Sequence, residues 1–171
     1  MKQLLTALGL SLCAVSQPLF ADTIPYSPNM LQLEAQLNRG GQFERGTTGT
    51  TKRPVLYGTH GAWTRSFGFR VYFDECTPLK GCDAANYIAK FAPNDFTHDP
   101  ARLAEFNATQ PNGSAYYDDR HLIVSAQRRL EGKLSRKAAK SSIDQYLELL
   151  EMTNEELGLS NIRRREGPTA R

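Results

Sequence analysis

Hydrophobic positions recur along this chain with two periods, and each change of period marks a change of element. Met30, Leu33 and Leu37 stand at helical spacing behind Ser27-Pro28. Ser27 offers a side-chain oxygen to the free amides, and a proline ring suits the first turn. Gly40-Gly41 is the stop, so the pattern predicts a helix of about three turns. Gln42 to Arg53 is rich in Gly and Thr and reads as a loop or weak strand. Val55 to Tyr57 reads as a short apolar strand, and Thr59-His60-Gly61 as a turn. From Trp63 to Phe73 the period is two: Phe67, Phe69, Val71 and Phe73 point one way, with Ser66, Gly68, Arg70 and Tyr72 opposite. Asp74 to Asp83 is predicted to turn the chain, and Asn86 to Ala92 to return as the partner strand.

Asp99-Pro100 opens a second helix with Leu103 and Phe106 on one face, and Pro111-Asn112-Gly113 ends it. Ser114 to Tyr117, the turn Asp118-Asp119 and His121 to Gln127 form a second hairpin. Ser135 caps a long last helix with the stripe Ala139, Ile143, Tyr146, Leu147, Leu150 and Leu157, and Gly158 stops it. The predicted order is helix, hairpin, helix, hairpin, helix. Strands adjacent in sequence favour an antiparallel β-sheet with helices packed on it, an α+β fold. One domain, residues 22–160, accounts for all of these elements.

Residues 1–21 read as a cleavable signal peptide: Lys2, the apolar stretch Leu4 to Val15, then Leu19-Phe20-Ala21 before Asp22. That stretch is about a dozen residues, short of the roughly 20 that span a bilayer. A lipidation site at Cys13 is disfavoured by bulky Leu12 before it. The expectation is a periplasmic or secreted protein, soluble and without a transmembrane segment after cleavage. Cleavage removes Cys13, leaving Cys76 and Cys82, and an even count in an oxidising compartment favours their pairing. Arg163, Arg164, Arg165 and Arg171 make residues 161–171 a basic tail, expected to be disordered, with contact to an anionic membrane or an acidic partner as the alternative to simple solvation. Without the signal and the tail the body is close to neutral, which argues against a nucleic-acid partner.

Candidate chemistry is sparse. His60, His98 and His121 lack metal-ligand spacing, so no metal or other cofactor is implied. Asp118-Asp119 reads as turn chemistry rather than a carboxylate pair. Cys76 and Cys82 lack the two-residue spacing of a redox pair and read as a structural disulfide. Ser125 and His121 lie too close on one predicted strand to serve as nucleophile and base. The absence of a nucleophile and base at recognisable spacing favours a binding domain over an enzyme, with Tyr72, Tyr87 and Tyr116 as candidate contacts. A small-ligand-binding module and a small periplasmic hydrolase are the alternatives.

The stretch from Trp63 to Leu150 resembles the YbjN family, small bacterial domains described as sensory-transduction regulators. The resemblance rests on the helix and glycine pair at Leu31 to Gly41, and on Phe67-Gly68-Phe69-Arg70-Val71-Tyr72-Phe73. Phe106-Asn107 is similar to the family's Trp-Asn, and Ala115-Tyr116-Tyr117-Asp118 to its Ala-Tyr before an acidic turn. Exported members carry a cysteine pair after the phenylalanine-rich strand, where Cys76 and Cys82 stand. The basic-aromatic pair that members place between these segments is replaced here by Pro111-Asn112. The resemblance covers roughly residues 28 to 155. It implies a type III secretion chaperone-like α+β arrangement and a non-enzymatic role, binding a protein or peptide partner in envelope signalling or stress.

Overall fold

The computed structural model describes residues 26–49, 53–62, 65–77, 81–130, 132–159 and 163–164. The expected signal peptide, Trp63 and most of the tail lie outside the described residues. Helix α1 (Pro28–Gly40) starts as its sequence dictates: the Ser27 side chain accepts from the Met30 amide, and Met30, Leu33 and Leu37 are buried. Helix α2 (Pro100–Thr109) is capped by Asp99, whose carboxylate accepts from the Ala101 and Arg102 amides. Helix α3 (Arg136–Leu157) is capped by Ser135 and ends at Gly158, held in the left-handed region at φ 67°, a conformation that costs a residue with a Cβ far more.

Among the described residues seven strands lie between and after the helices: β1 (Gly41–Thr47), β2 (Pro54–Ala62), β3 (Arg65–Thr77), β4 (Gly81–Phe91), β5 (Ser114–Asp118), β6 (His121–Arg129) and the two-residue β7 (Arg163–Arg164). The main sheet runs in the order β1-β2-β3-β4-β6-β5, with β7 paired to β3 off this path. Every pairing is antiparallel. The fold is therefore α+β, with three helices packed on an antiparallel sheet.

Four sequence expectations change. The first hairpin is a four-stranded meander, because residues 41–47 form a full strand beside β2. Thr59-His60-Gly61 is not a turn but the continuation of β2, paired with Ser66, Phe67 and Gly68. Gly58 and Gly41, the latter at the expected end of α1, permit close approach of neighbouring backbone. A Cβ on Gly58 would sit 1.9 Å from the Gln42 carbonyl oxygen, and one on Gly41 2.1 Å from that of Thr59. Asp74 to Asp83 is mostly strand, since β3 and β4 stay in register out to Thr77 and Gly81. Finally, the tail is not wholly outside the fold: Arg163 and Arg164 pair with Ser66 and Arg65.

Cys76 and Cys82 are directly opposite in the β3–β4 register and form a disulfide. Glu75, at φ 53°, interrupts the extended backbone just before it, and Cys82 belongs to the buried core with Cys76 packed against it. Asn side chains fasten the helices to the sheet. Asn107 of α2 donates to the Ala115 carbonyl at 2.7 Å and accepts from the Ala115 amide at 2.8 Å. Asn29 donates to the carbonyls of Leu130 and Gly132, both at 2.7 Å, and accepts from the Leu134 amide.

Candidate binding face

Residues paired across a sheet project from the same face, so the register assigns every side chain to one of two sides. The first side holds Phe43, Leu56, Phe67, Phe69, Val71, Phe73, Tyr87, Ala89, Val124 and Ala126, all within one buried core with the stripes of the helices. Its centre is aromatic. The Phe69 ring lies 5.0 Å from that of Phe43 and 5.1 Å from that of Tyr146, and Tyr146 lies 5.0 Å from Tyr87. Each buried hydroxyl has a partner, as burial demands. Tyr146 donates to the Val124 carbonyl at 2.8 Å, and Tyr87 meets the Ser142 hydroxyl at 2.9 Å. Burial pushes the Tyr87 phenol up to about 12, opposed in part by the Ser142 hydrogen bond and the Arg128 charge. Burial likewise holds the Tyr146 phenol well above its ordinary range.

The second side presents two cross-strand rows. One is Tyr57, Arg70, Ile88, Ser125 and Ser114, and the other Val55, Tyr72, Asn86 and Gln127. Tyr116 stands opposite Ile123, which is itself paired with Lys90. Tyr57 is 41% and Tyr116 47% exposed, two of the three large hydrophobic side chains most open to solvent among the described residues. Their surroundings are polar. The Tyr57 hydroxyl donates to Glu44 Oε2 at 3.2 Å, and Arg70 Nη1 donates to the Tyr72 hydroxyl at 3.3 Å. Arg53 pairs with Asp74 at 2.9 Å, and Asn86 donates to the other oxygen of that carboxylate. Two shallow clefts adjoin along this side. The first, about 370 Å³, is lined by Thr47, Thr48, Gly49, Val55, Tyr57, Arg70 and Tyr72. The second, about 280 Å³, shares Thr48 and Tyr72 with it and extends to Asp74, Asn86 and Ile88.

The three candidate tyrosines therefore separate. Tyr72 and Tyr116 lie on this open side, with Tyr72 partly exposed. Tyr87 is fully buried on the covered side and cannot touch a partner in this fold. Alternation on β4 places it opposite Val71, a core position, and that phase depends on the pairing. Tyr57 replaces it. Its place opposite Arg70 follows only once β2 is read as a full strand, and the local sequence did not suggest that.

The remaining candidates do not converge. The His98 ring stacks on Tyr117 at 4.0 Å, and His121 faces Asp118 across the β5–β6 turn. His60 Nδ1 lies 2.9 Å from the Gly61 carbonyl oxygen, at the border of a cleft of about 490 Å³ whose other wall is Lys140, Asp144, Leu147, Glu148 and Glu151 of α3. The Ser125 hydroxyl faces that of Ser114 at 3.4 Å rather than a histidine. Asp119 occupies the hairpin turn at φ 52°, as an aspartate tolerates. Among the described residues no group of three or more His, Cys, Asp or Glu could hold a metal ion, and no helix is long and apolar enough to cross a membrane.

No family model matches the chain, and no curated protein matches it.

Proposed function

We propose that this chain is an exported, non-enzymatic regulatory domain of YbjN type that binds a protein or peptide partner on the open face of its sheet. The observation that carries the reading is the placement of Tyr57, Tyr72 and Tyr116 on the sheet face opposite the one that packs into the shared core. Tyrosine gives large contact area at low entropic cost, and its hydroxyl stays useful when the ring is covered. Between the rings, Arg70, Asn86 and Gln127 offer donors that fix orientation. The Cys76–Cys82 disulfide supports the exported setting, since such bonds persist in oxidising compartments.

A second reading, a small polar ligand in the cleft between β2 and α3, draws on that cleft's volume of about 490 Å³, within the range of ligand sites. One experiment separates the two. Tagged protein is used as bait in an envelope extract, and the captured partner is then titrated against Tyr57→Ala, Tyr72→Ala and Tyr116→Ala. The reading expects at least one replacement to weaken capture about tenfold or more with the thermal midpoint unchanged. Equal capture by all three, combined with loss on Glu148→Ala, moves the site to the cleft.

A further inference from the structure

Where α1 ends and α3 begins, the two helices meet over the end of β2 and leave a small cleft. It measures about 300 Å³ and is lined by Gln36 and Arg39 of α1, His60 of β2, and Arg136, Lys140 and Asp144 of α3. That volume is at the small end of ligand sites. The cleft adjoins the one of about 490 Å³, with which it shares His60, Lys140 and Asp144. The His60 ring rests on the last turn of α1, since a Cβ built on Gly40 would lie 2.5 Å from its Cε1.

Gln36 sets this cleft apart. It is only 6% exposed and belongs to the buried stripe of α1 with Leu33 and Leu37. Among the described residues its carboxamide has no hydrogen-bond partner. Nor is that carboxamide sealed in, because Arg128 Nε alone among the described residues is a wholly buried polar side-chain atom without a partner. The Gln36 amide therefore keeps a little accessible surface, and Gln36 lines the cleft. An unpaired amide at such depth costs stability, so a ligand that completes its hydrogen bonds is favoured.

The rim carries unbalanced positive charge. Arg39 and Arg136 are both exposed, and neither has a carboxylate partner among the described residues. Lys140 pairs with Asp144, the one carboxylate among the described residues lining the cleft, at 2.5 Å. The two guanidinium charges are left over. Two of the three cations also sit where their own helix disfavours them. α3 has no acidic residue in its first turn, and Arg136 and Lys140 stand four apart along it. The positive end of a helix dipole repels cations, and like charges at that spacing repel each other. An anion bound between them relieves both.

We propose that this cleft binds a phosphomonoester, with Arg39 and Arg136 bracketing the phosphate and the Gln36 amide donating to it from the floor. Guanidinium groups match phosphate oxygens in pairs. A carboxylate offers two oxygens and a single charge. A phosphomonoester offers three terminal oxygens and about two charges, which suits two arginines and an amide. The cleft lies on the covered side of the sheet, so the proposal stands or falls independently of the tyrosine surface. Glu148, which probes the larger cleft, is not part of its lining.

The test is calorimetric titration of the full chain with inorganic phosphate, glycerol 3-phosphate and acetate, at low salt in a phosphate-free buffer. Both phosphates are expected to bind saturably at one site, and acetate at least about tenfold more weakly. Arg39→Gln and Arg136→Gln should each weaken phosphate binding about tenfold or more, with the thermal midpoint unchanged. Arg102→Gln, at an equally exposed position on α2, should leave the affinity unaltered. Gln36→Leu separates a ligand role from a structural one. It should weaken phosphate binding about threefold or more while raising the thermal midpoint, because an unpaired amide leaves the core. Where phosphate binds, sedimentation with vesicles containing phosphatidic acid assigns its source. Capture that Arg39→Gln abolishes makes the phosphate a lipid headgroup, and absence of capture makes it a soluble phosphomonoester. No saturable phosphate binding, equal affinity for acetate, equal weakening by Arg102→Gln, or undiminished affinity in Arg39→Gln, Arg136→Gln or Gln36→Leu would each overturn the proposal.

Discussion

The two faces of this sheet use the same residue type for opposite ends. Tyr87 and Tyr146 meet on the covered side, fully buried, their hydroxyls satisfied by Ser142 and by the Val124 carbonyl. Tyr57 and Tyr116 stand on the other side with nearly half their surface in solvent. The difference does not lie in the tyrosines. It follows from which neighbour each one is paired with: Tyr87 with Val71, and Tyr57 with Arg70. A tyrosine in a strand is thus a core residue or a contact residue according to register alone, and the two roles should separate cleanly on mutation.

The largest expected effect is on the covered side. Phe69→Ala removes the ring that touches Phe43, Tyr87 and Tyr146, and should cost about 4 kcal/mol of unfolding free energy in a denaturant titration. Next is an alkaline loss of stability. Tyr87 ionises near 10.0 in the unfolded chain and at about 12 in the fold. The unfolded state therefore releases its proton first. The stabilisation is intact below pH 10 and is lost as pH rises towards about 12, by on the order of 2 to 3 kcal/mol. Tyr146 acts in the same direction, and Tyr87→Phe should flatten the profile. Replacing both Cys76 and Cys82 by serine should cost about 2 kcal/mol, since the closed loop is short. That change should leave partner capture intact, which chemical denaturation and pull-down together would check. The smallest effect belongs to the open face. Tyr57→Ala and Tyr116→Ala should each shift stability by no more than about 0.5 kcal/mol, a limit that differential scanning calorimetry can test.

Much of the fold was legible where one residue carries one meaning. Ser27, Asp99 and Ser135 start helices because a side-chain oxygen must meet free amides, and each does so here. Phe67, Phe69, Val71 and Phe73 alternate strictly and all point inward. Phe106-Asn107 and Ala115, which carried part of the family resemblance, turn out to be physically joined: Phe106 is core and Asn107 clamps the backbone of Ala115. What failed to show was of another kind. Gly58 and Gly61 have the same letter as a turn glycine, and only the partner strand reveals that Gly58 makes room for the Gln42 carbonyl. The side of Tyr87 and the role of Tyr57 depend on pairing between segments many residues apart, which local alternation does not encode. The seating of Arg163–Arg164 depends on β4 leaving β3 after Arg70, a property of the whole sheet.

The most direct measurement of the two-faced sheet is nitration of the native protein, mapped to individual tyrosines by peptide mass spectrometry. The account predicts rapid modification of Tyr57 and Tyr116, with Tyr87 and Tyr146 untouched until denaturant unfolds the chain. Modification of Tyr87 under native conditions, or protection of both Tyr57 and Tyr116 in the isolated protein, would contradict it.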